Sequence, residues 1–112
     1  MSKRAPALLI EDMQNAINKI FSYTKDVPFD IFSNDDKTIN AVLYCLQILG
    51  EATKRLPNDF VKKHTKIEWQ DIIDMRNIIA HGYDQINLET VWQIIQYDLP
   101  PLKQKLENIK LI

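Results

Sequence analysis

The chain has 112 residues, room for a single domain with one core, since folding at this length buries roughly 60 to 70% of the surface that the unfolded chain exposes. One cysteine, Cys45, excludes an internal disulfide, and charges or amides interrupt every apolar stretch well short of the ~20 residues a membrane span needs. No signal-peptide pattern precedes the first apolar stripe, so the sequence predicts a cytoplasmic, reduced protein with no membrane contact.

Two glycines, 46% hydrophobic and 26% charged residues predict an all-α protein, because hairpin-rich folds spend more glycine in their turns. The net charge is −1 and the isoelectric point about 6.1, so the broad positive field of a typical nucleic-acid binder is missing. Any contact with RNA must come from a local patch.

In chain order, Leu9, Met13, Ala16, Ile17, Ile20 and Phe21 recur at three- and four-residue spacing and predict a helix over 6–23. Residues 24–33 mix Pro28 with Phe29, Ile31 and Phe32, a packed connector rather than a long helix. Ser33 followed by Asp36 resembles a capping box ahead of a second helix carrying Ile39, Val42, Leu43, Leu46, Leu49 and Ala52, which Pro57 stops near Arg55. Cys45 lies on its apolar face and reads as core. Asn58 is placed to cap a short turn bearing Phe60 and Val61. Lys62, Lys63, His64 and Lys66 then form a small basic cluster, usually a solvated face and otherwise a point of contact with RNA.

Trp69, Ile72, Ile73, Arg76, Ile79 and Ala80 mark a third long helix, with Gly82 suited to the position past its end. From Asn87, Leu88, Val91, Trp92, Ile95, Leu99, Leu102, Leu106 and Ile109 follow heptad-like order, while Pro100 and Pro101 should kink or split the helix. There is no internal repeat and no domain boundary, so 1–112 is one domain.

Polar, chemically able side chains crowd one segment, Arg76-Asn77-Ile78-Ile79-Ala80-His81-Gly82-Tyr83. An arginine on an apolar stripe is costly unless paired or functional, and pairing with Glu51 or Asp74 would stitch helices together without any chemistry. His81 equally suits a helix end, favoured there by the macrodipole. Together the two fit RNA cleavage. Imidazole, with an ordinary pKa near ~6.5, can take a proton from a 2′-hydroxyl and deliver one to the leaving oxygen. A guanidinium fork matches phosphate oxygens. No His, Cys or carboxylate cluster shows metal-ligand spacing, and no cofactor motif is present. A five-residue offset puts Arg76 and His81 about 140° apart on an ideal helix. Either the helix ends before His81, or a two-fold partner brings two motifs to one cleft, and both are expected to contribute. Tyr83, seven residues after Arg76, falls near the same azimuth if the helix persists, and on spacing alone serves equally as an aromatic capping the core.

These residues resemble the HepT-like branch of the HEPN proteins, whose signature is Arg, four residues, His, any residue, Tyr. Arg76, His81 and Tyr83 fill it, and Asn77 matches the polar residue that often follows the arginine. Gly50-Glu51-Ala52, the Trp69 segment, Val91-Trp92 and Leu99-Pro100-Pro101-Leu102 extend the likeness over nearly the whole chain.

The resemblance implies a HEPN-type bundle of four to five helices in a two-fold homodimer, with both motifs facing one cleft. It implies a metal-independent endoribonuclease toxin of a HEPN/MNT type VII toxin–antitoxin system, neutralised when an MNT-type nucleotidyltransferase antitoxin adenylylates Tyr83. Carried over by position, Arg76 holds and polarises phosphate, His81 does acid–base work and Asn77 orients the scissile group. Glu51 supports Arg76 through an ion pair. The alternative is a noncatalytic HEPN dimer that serves as binding partner of a nucleotidyltransferase.

Overall fold

A computed structural model describes residues 4–81 and 86–109, with the backbone only of His81. It is all-α among these residues, in the order α1 Pro6–Thr24, α2 Phe29–Phe32, α3 Asp36–Lys54, α4 Asn58–Lys63, α5 Trp69–His81, α6 Leu88–Gln93, a π-helical turn Ile94–Asp98, and α7 Leu99–Glu107. Helix α3 is the central element, packed against α1 and against α5, while α7 closes onto α1.

Helix α1 starts on Pro6, whose ring presets the helical φ and whose missing N–H would have been unpaired in the first turn anyway. Of the stripe read from sequence, Leu9, Met13, Ala16, Ile17 and Ile20 are withdrawn from solvent and Phe21 is half-buried against them, while Ile10 joins the buried face. They meet Val42, Leu46 and Leu49 of α3 in one core. Two threonines enter that core without leaving a hydroxyl unpaired. Thr24 Oγ1 donates to the Ile20 carbonyl at 2.9 Å and Thr53 Oγ1 to the Leu49 carbonyl at 2.8 Å. Cys45 is buried, and its desolvation pushes the thiol above its ordinary pKa.

The connector is packed, as its composition predicts, and contains one helical turn. Phe32 is fully buried and its ring lies 4.9 Å from that of Trp92, with Phe29 5.9 Å from the same indole, so α2 is clamped to α6. Two capping assignments change. The cap of α3 is Asp35 rather than Ser33: its carboxylate accepts from the Thr38 hydroxyl at 2.6 Å and amide at 3.3 Å, which holds it below the usual carboxylate range. Ser33 turns back to the Asp30 carbonyl. Asn58 is the first helical residue of α4, behind an extended Pro57, and its side chain caps nothing.

Asn87 does cap α6, accepting from the Glu89 and Thr90 amides at 2.9 and 3.2 Å. The proline pair splits the last helix by a widened turn rather than a break. The Leu99 amide reaches back five residues to the Ile94 carbonyl, and the wider loop relieves the clash each proline ring would make with the carbonyl four residues before it.

Candidate active site

The site is built where α5 crosses α3 at Gly50. A Cβ on Gly50 would overlap Arg76 Cβ and stand 2.5 Å from its Cγ. The missing side chain is therefore the space in which the root of Arg76 lies. A glycine inside a helix ordinarily costs about 0.5 to 1 kcal/mol relative to alanine, and here the close approach is its physical reason.

Sunk in this way, the arginine exposes only its far end. Its Nε is buried without a hydrogen-bond partner. Nη2 reaches Glu51 Oε1 at 3.3 Å, and Nη1 donates to Asn77 Oδ1 at 3.2 Å. The sequence left Glu51 and Asp74 open as partners, and the structure chooses Glu51, because Asp74 instead accepts from Gln70 Nε2 at 2.9 Å. Arg76 retains 22% side-chain exposure and Glu51 48%. A pair this wet and this long adds at most about 1 kcal/mol to stability. Its geometric effect is larger, since Asn77 Oδ1 and Glu51 Oε1 each hold one Nη of the guanidinium.

Asn77, half-buried, spends its oxygen on Arg76 and so presents its amide N–H groups as donors. An anion approaching Arg76 would meet guanidinium and carboxamide donors together. Helix α5 runs through His81 at the backbone, so the expectation that the helix ends before His81 is corrected. Continuous helix keeps Arg76 and His81 about 140° apart in azimuth. Gly82 and Tyr83 lie outside the described residues.

The start of α5 is pinned independently. Trp69 Nε1 donates to the His64 carbonyl at 2.9 Å, and the Phe60 ring lies 4.5 Å from the His64 imidazole and 6.4 Å from the Trp69 ring. A concavity of about 350 Å³ opens between α5 and the C-terminal helices, floored by Leu49, Ile72 and Leu102 and edged by Glu68, Asp71, Asp98 and Lys105. Hydrogen bonding with Asp71 raises the Glu68 carboxyl above its ordinary pKa. Three carboxylates against the one ammonium of Lys105 make that edge net acidic, an unfavourable surface for phosphate.

Residues 13–109 match the family described as Ribonuclease HepT-like. The chain belongs to the HepT-like ribonuclease family. It is 36% identical over 108 residues to a Thermococcus cleftensis protein named "Probable ribonuclease HepT", covering 96% of this chain and 98% of the relative. Two Methanocaldococcus jannaschii proteins with RNase names are 33% and 31% identical, each over 97% of this chain and over 100% and 94% of their own lengths. No solved structure matches. The HepT-like resemblance seen in the motif is thus the family of the chain, and Gly50, noted there only as part of a likeness, gains a role that its helix-interior position could have signalled.

Proposed function

We propose that this HepT-like protein is a metal-independent endoribonuclease, the toxin of a HEPN/MNT type VII pair, acting through Arg76, Asn77 and His81 with Glu51 in support. One observation carries the reading: on the helix that bears the family motif, Arg76 is held between Glu51 and Asn77 with its outer nitrogens at the surface. A charge that only stitched two helices together would not need a second donor group beside it.

In this reaction the 2′-oxygen of one nucleotide attacks the adjacent phosphorus, its proton passes to an imidazole, and the bond to the 5′-oxygen of the next nucleotide breaks as that oxygen takes up a proton. The products are a 2′,3′-cyclic phosphate and a 5′-hydroxyl. Arg76 neutralises the charge that builds on the phosphoryl oxygens, and Asn77 orients them. His81 supplies the proton transfers. Because a continuous α5 separates Arg76 and His81 in azimuth, a two-fold homodimer that sets the His81 of one protomer across from the Arg76 of the other supports the chemistry best.

Control belongs to Tyr83. The phenol oxygen of Tyr83 attacks the α-phosphorus of ATP in the active site of a cognate MNT-type nucleotidyltransferase, pyrophosphate leaves, and the attached adenylate competes for Arg76 and fills the cleft. Coexpression with the antitoxin should add one adenylate to the wild type and none to Tyr83→Phe, read by intact mass and peptide mapping.

The Glu51–Arg76 contact also suits a noncatalytic dimer in which that pair is only a stitch. RNA cleavage by purified protein separates the readings. Activity lost in His81→Ala, with fold and dimer retained, supports the enzyme, whereas an inactive wild type that still binds a nucleotidyltransferase supports the scaffold.

A further inference from the structure

Beyond the Arg76 face, positive charge is concentrated in one stretch of the chain. Lys54, Arg55, Lys62, Lys63 and Lys66 are all exposed, and the only acid among residues 54–66 is Asp59. Among the described residues the ion pairs are Arg4 with Asp12 and Arg76 with Glu51, so none of these five cations is neutralised by a partner. In a chain of net charge −1 that is a local excess of the kind that any RNA contact requires.

We propose that Lys54, Arg55, Lys62, Lys63 and Lys66 form a phosphate track that carries single-stranded RNA to and from the Arg76 site. The inference rests on the ribonuclease reading and deepens it by giving the substrate a path. Three observations support it. Lys54 and Arg55 follow Glu51 by three and four residues, so they stand one turn further along the face of α3 whose Glu51 touches Arg76. Helix α4, with Lys62 and Lys63 in its last turn, begins only three residues after Arg55. The Phe60, His64 and Trp69 rings fix α4 to the start of α5, so its cations are presented from a held element and need little ordering when they bind. The net-acidic edge formed by Glu68, Asp71 and Asp98 with Lys105 lines a cleft that shares no residue with the track. An acidic protein would meet the same charges, but continuity with the arginine of the motif favours a strand of phosphates.

The test is binding of a 2′-O-methyl RNA dodecamer, which cannot be cleaved because its attacking hydroxyls are blocked, measured by fluorescence anisotropy across salt concentrations. The variants are Lys54→Gln with Arg55→Gln, and Lys62→Gln with Lys63→Gln. A control pair, Lys25→Gln with Lys37→Gln, removes the same charge elsewhere: Lys37 lies in the first turn of α3, about 25 Å from Lys54 along the helix, and Lys25 caps the end of α1. Each track pair should weaken binding roughly 10- to 30-fold at 0.1 M salt and flatten the log–log salt slope by about 1.4, the loss of two single-strand phosphate contacts. The control should change affinity less than about twofold. Track variants that bind with wild-type affinity and slope, while the wild type cleaves unmodified RNA, overturn the track and leave the ribonuclease reading standing. An equal loss in the control overturns it too, because overall charge then suffices. A wild type that neither binds nor cleaves RNA overturns the ribonuclease reading and the track with it.

Discussion

Gly50 and Arg76 share one space: the hydrogen on the Gly50 Cα is what lets the arginine leave α5 against the backbone of α3. Because the colliding atoms are the root of the side chain, the arginine cannot swing clear by rotating its far end. Gly50→Ala should therefore part the two helices, costing about 1 to 3 kcal/mol as overpacking does, and should lower RNA cleavage more than tenfold by displacing the guanidinium. Urea unfolding and single-turnover cleavage check the two effects. Normal activity in a folded Gly50→Ala protein would mean that the position of Arg76 does not matter.

Arg76→Ala and His81→Ala should each reduce cleavage by roughly 10² to 10⁴, the usual contribution of a positioned proton-transfer or charge-stabilising group. The helical circular dichroism signal should remain, since the Arg76–Glu51 pair is partly solvated and contributes little to stability. A chelator should leave the wild-type rate unchanged. Strong inhibition by chelation would count against the proposed chemistry.

Dimerisation is expected at micromolar concentration. Ile78 on α5 is 66% exposed and Tyr44 on α3 65% exposed, apolar surface on the two helices that carry the site. Light scattering should report twice the chain mass, and a mixture of Arg76→Ala and His81→Ala protomers should recover part of the activity if the sites are shared across the interface. A fully active monomer would rule out a shared cleft.

A pH effect follows from Glu68. Its carboxyl is held above the ordinary carboxylate pKa, chiefly by hydrogen bonding with Asp71, so the fold favours its protonated form. That contribution is complete below the unfolded-state pKa and is lost as the pH rises through the raised one. Glu68→Gln should thus be slightly more stable than wild type at neutral pH, with the difference vanishing under acid conditions. Thermal melts at pH 3 and pH 7 would show it, and an equal shift at both would exclude the carboxyl as its source.

The helices were legible because their buried stripes have a period that composition cannot hide: Leu9 through Ile20, and Ile39 through Leu49, face the core where the spacing places them. Caps were less legible. Ser33, Asp35 and Asp36 are all competent acceptors within one turn, and only the backbone decides that Asp35 reaches Thr38. At the site, the sequence marked Arg76 as anomalous and named Glu51 among its partners, but choosing between Glu51 and Asp74 needs the contact between α3 and α5. Gly50 carried a signal that composition dilutes, one of two glycines placed within an unbroken apolar period. An end of α5 before His81 is expected only from the need to bring Arg76 and His81 together, whereas Gly82 marks a stop past His81, and the helix does run through that residue.

The widened turn at Ile94–Asp98 gives the last helix one surplus residue. Before it Val91 faces inward, within it Ile95, and after it Leu99 and Leu106. Deleting one residue from the turn would restore ordinary winding and leave everything beyond it close to its present phase, because the wide turn spends one more residue on a revolution than ordinary helix does. Leu106 would then keep its inward face and Lys103 its place over the Phe21 ring, now 5.7 Å from the ammonium, while the proline rings would again meet the carbonyls four residues before them. The turn therefore takes up one surplus residue without moving either of the faces it joins, and what it secures is room for the two proline rings.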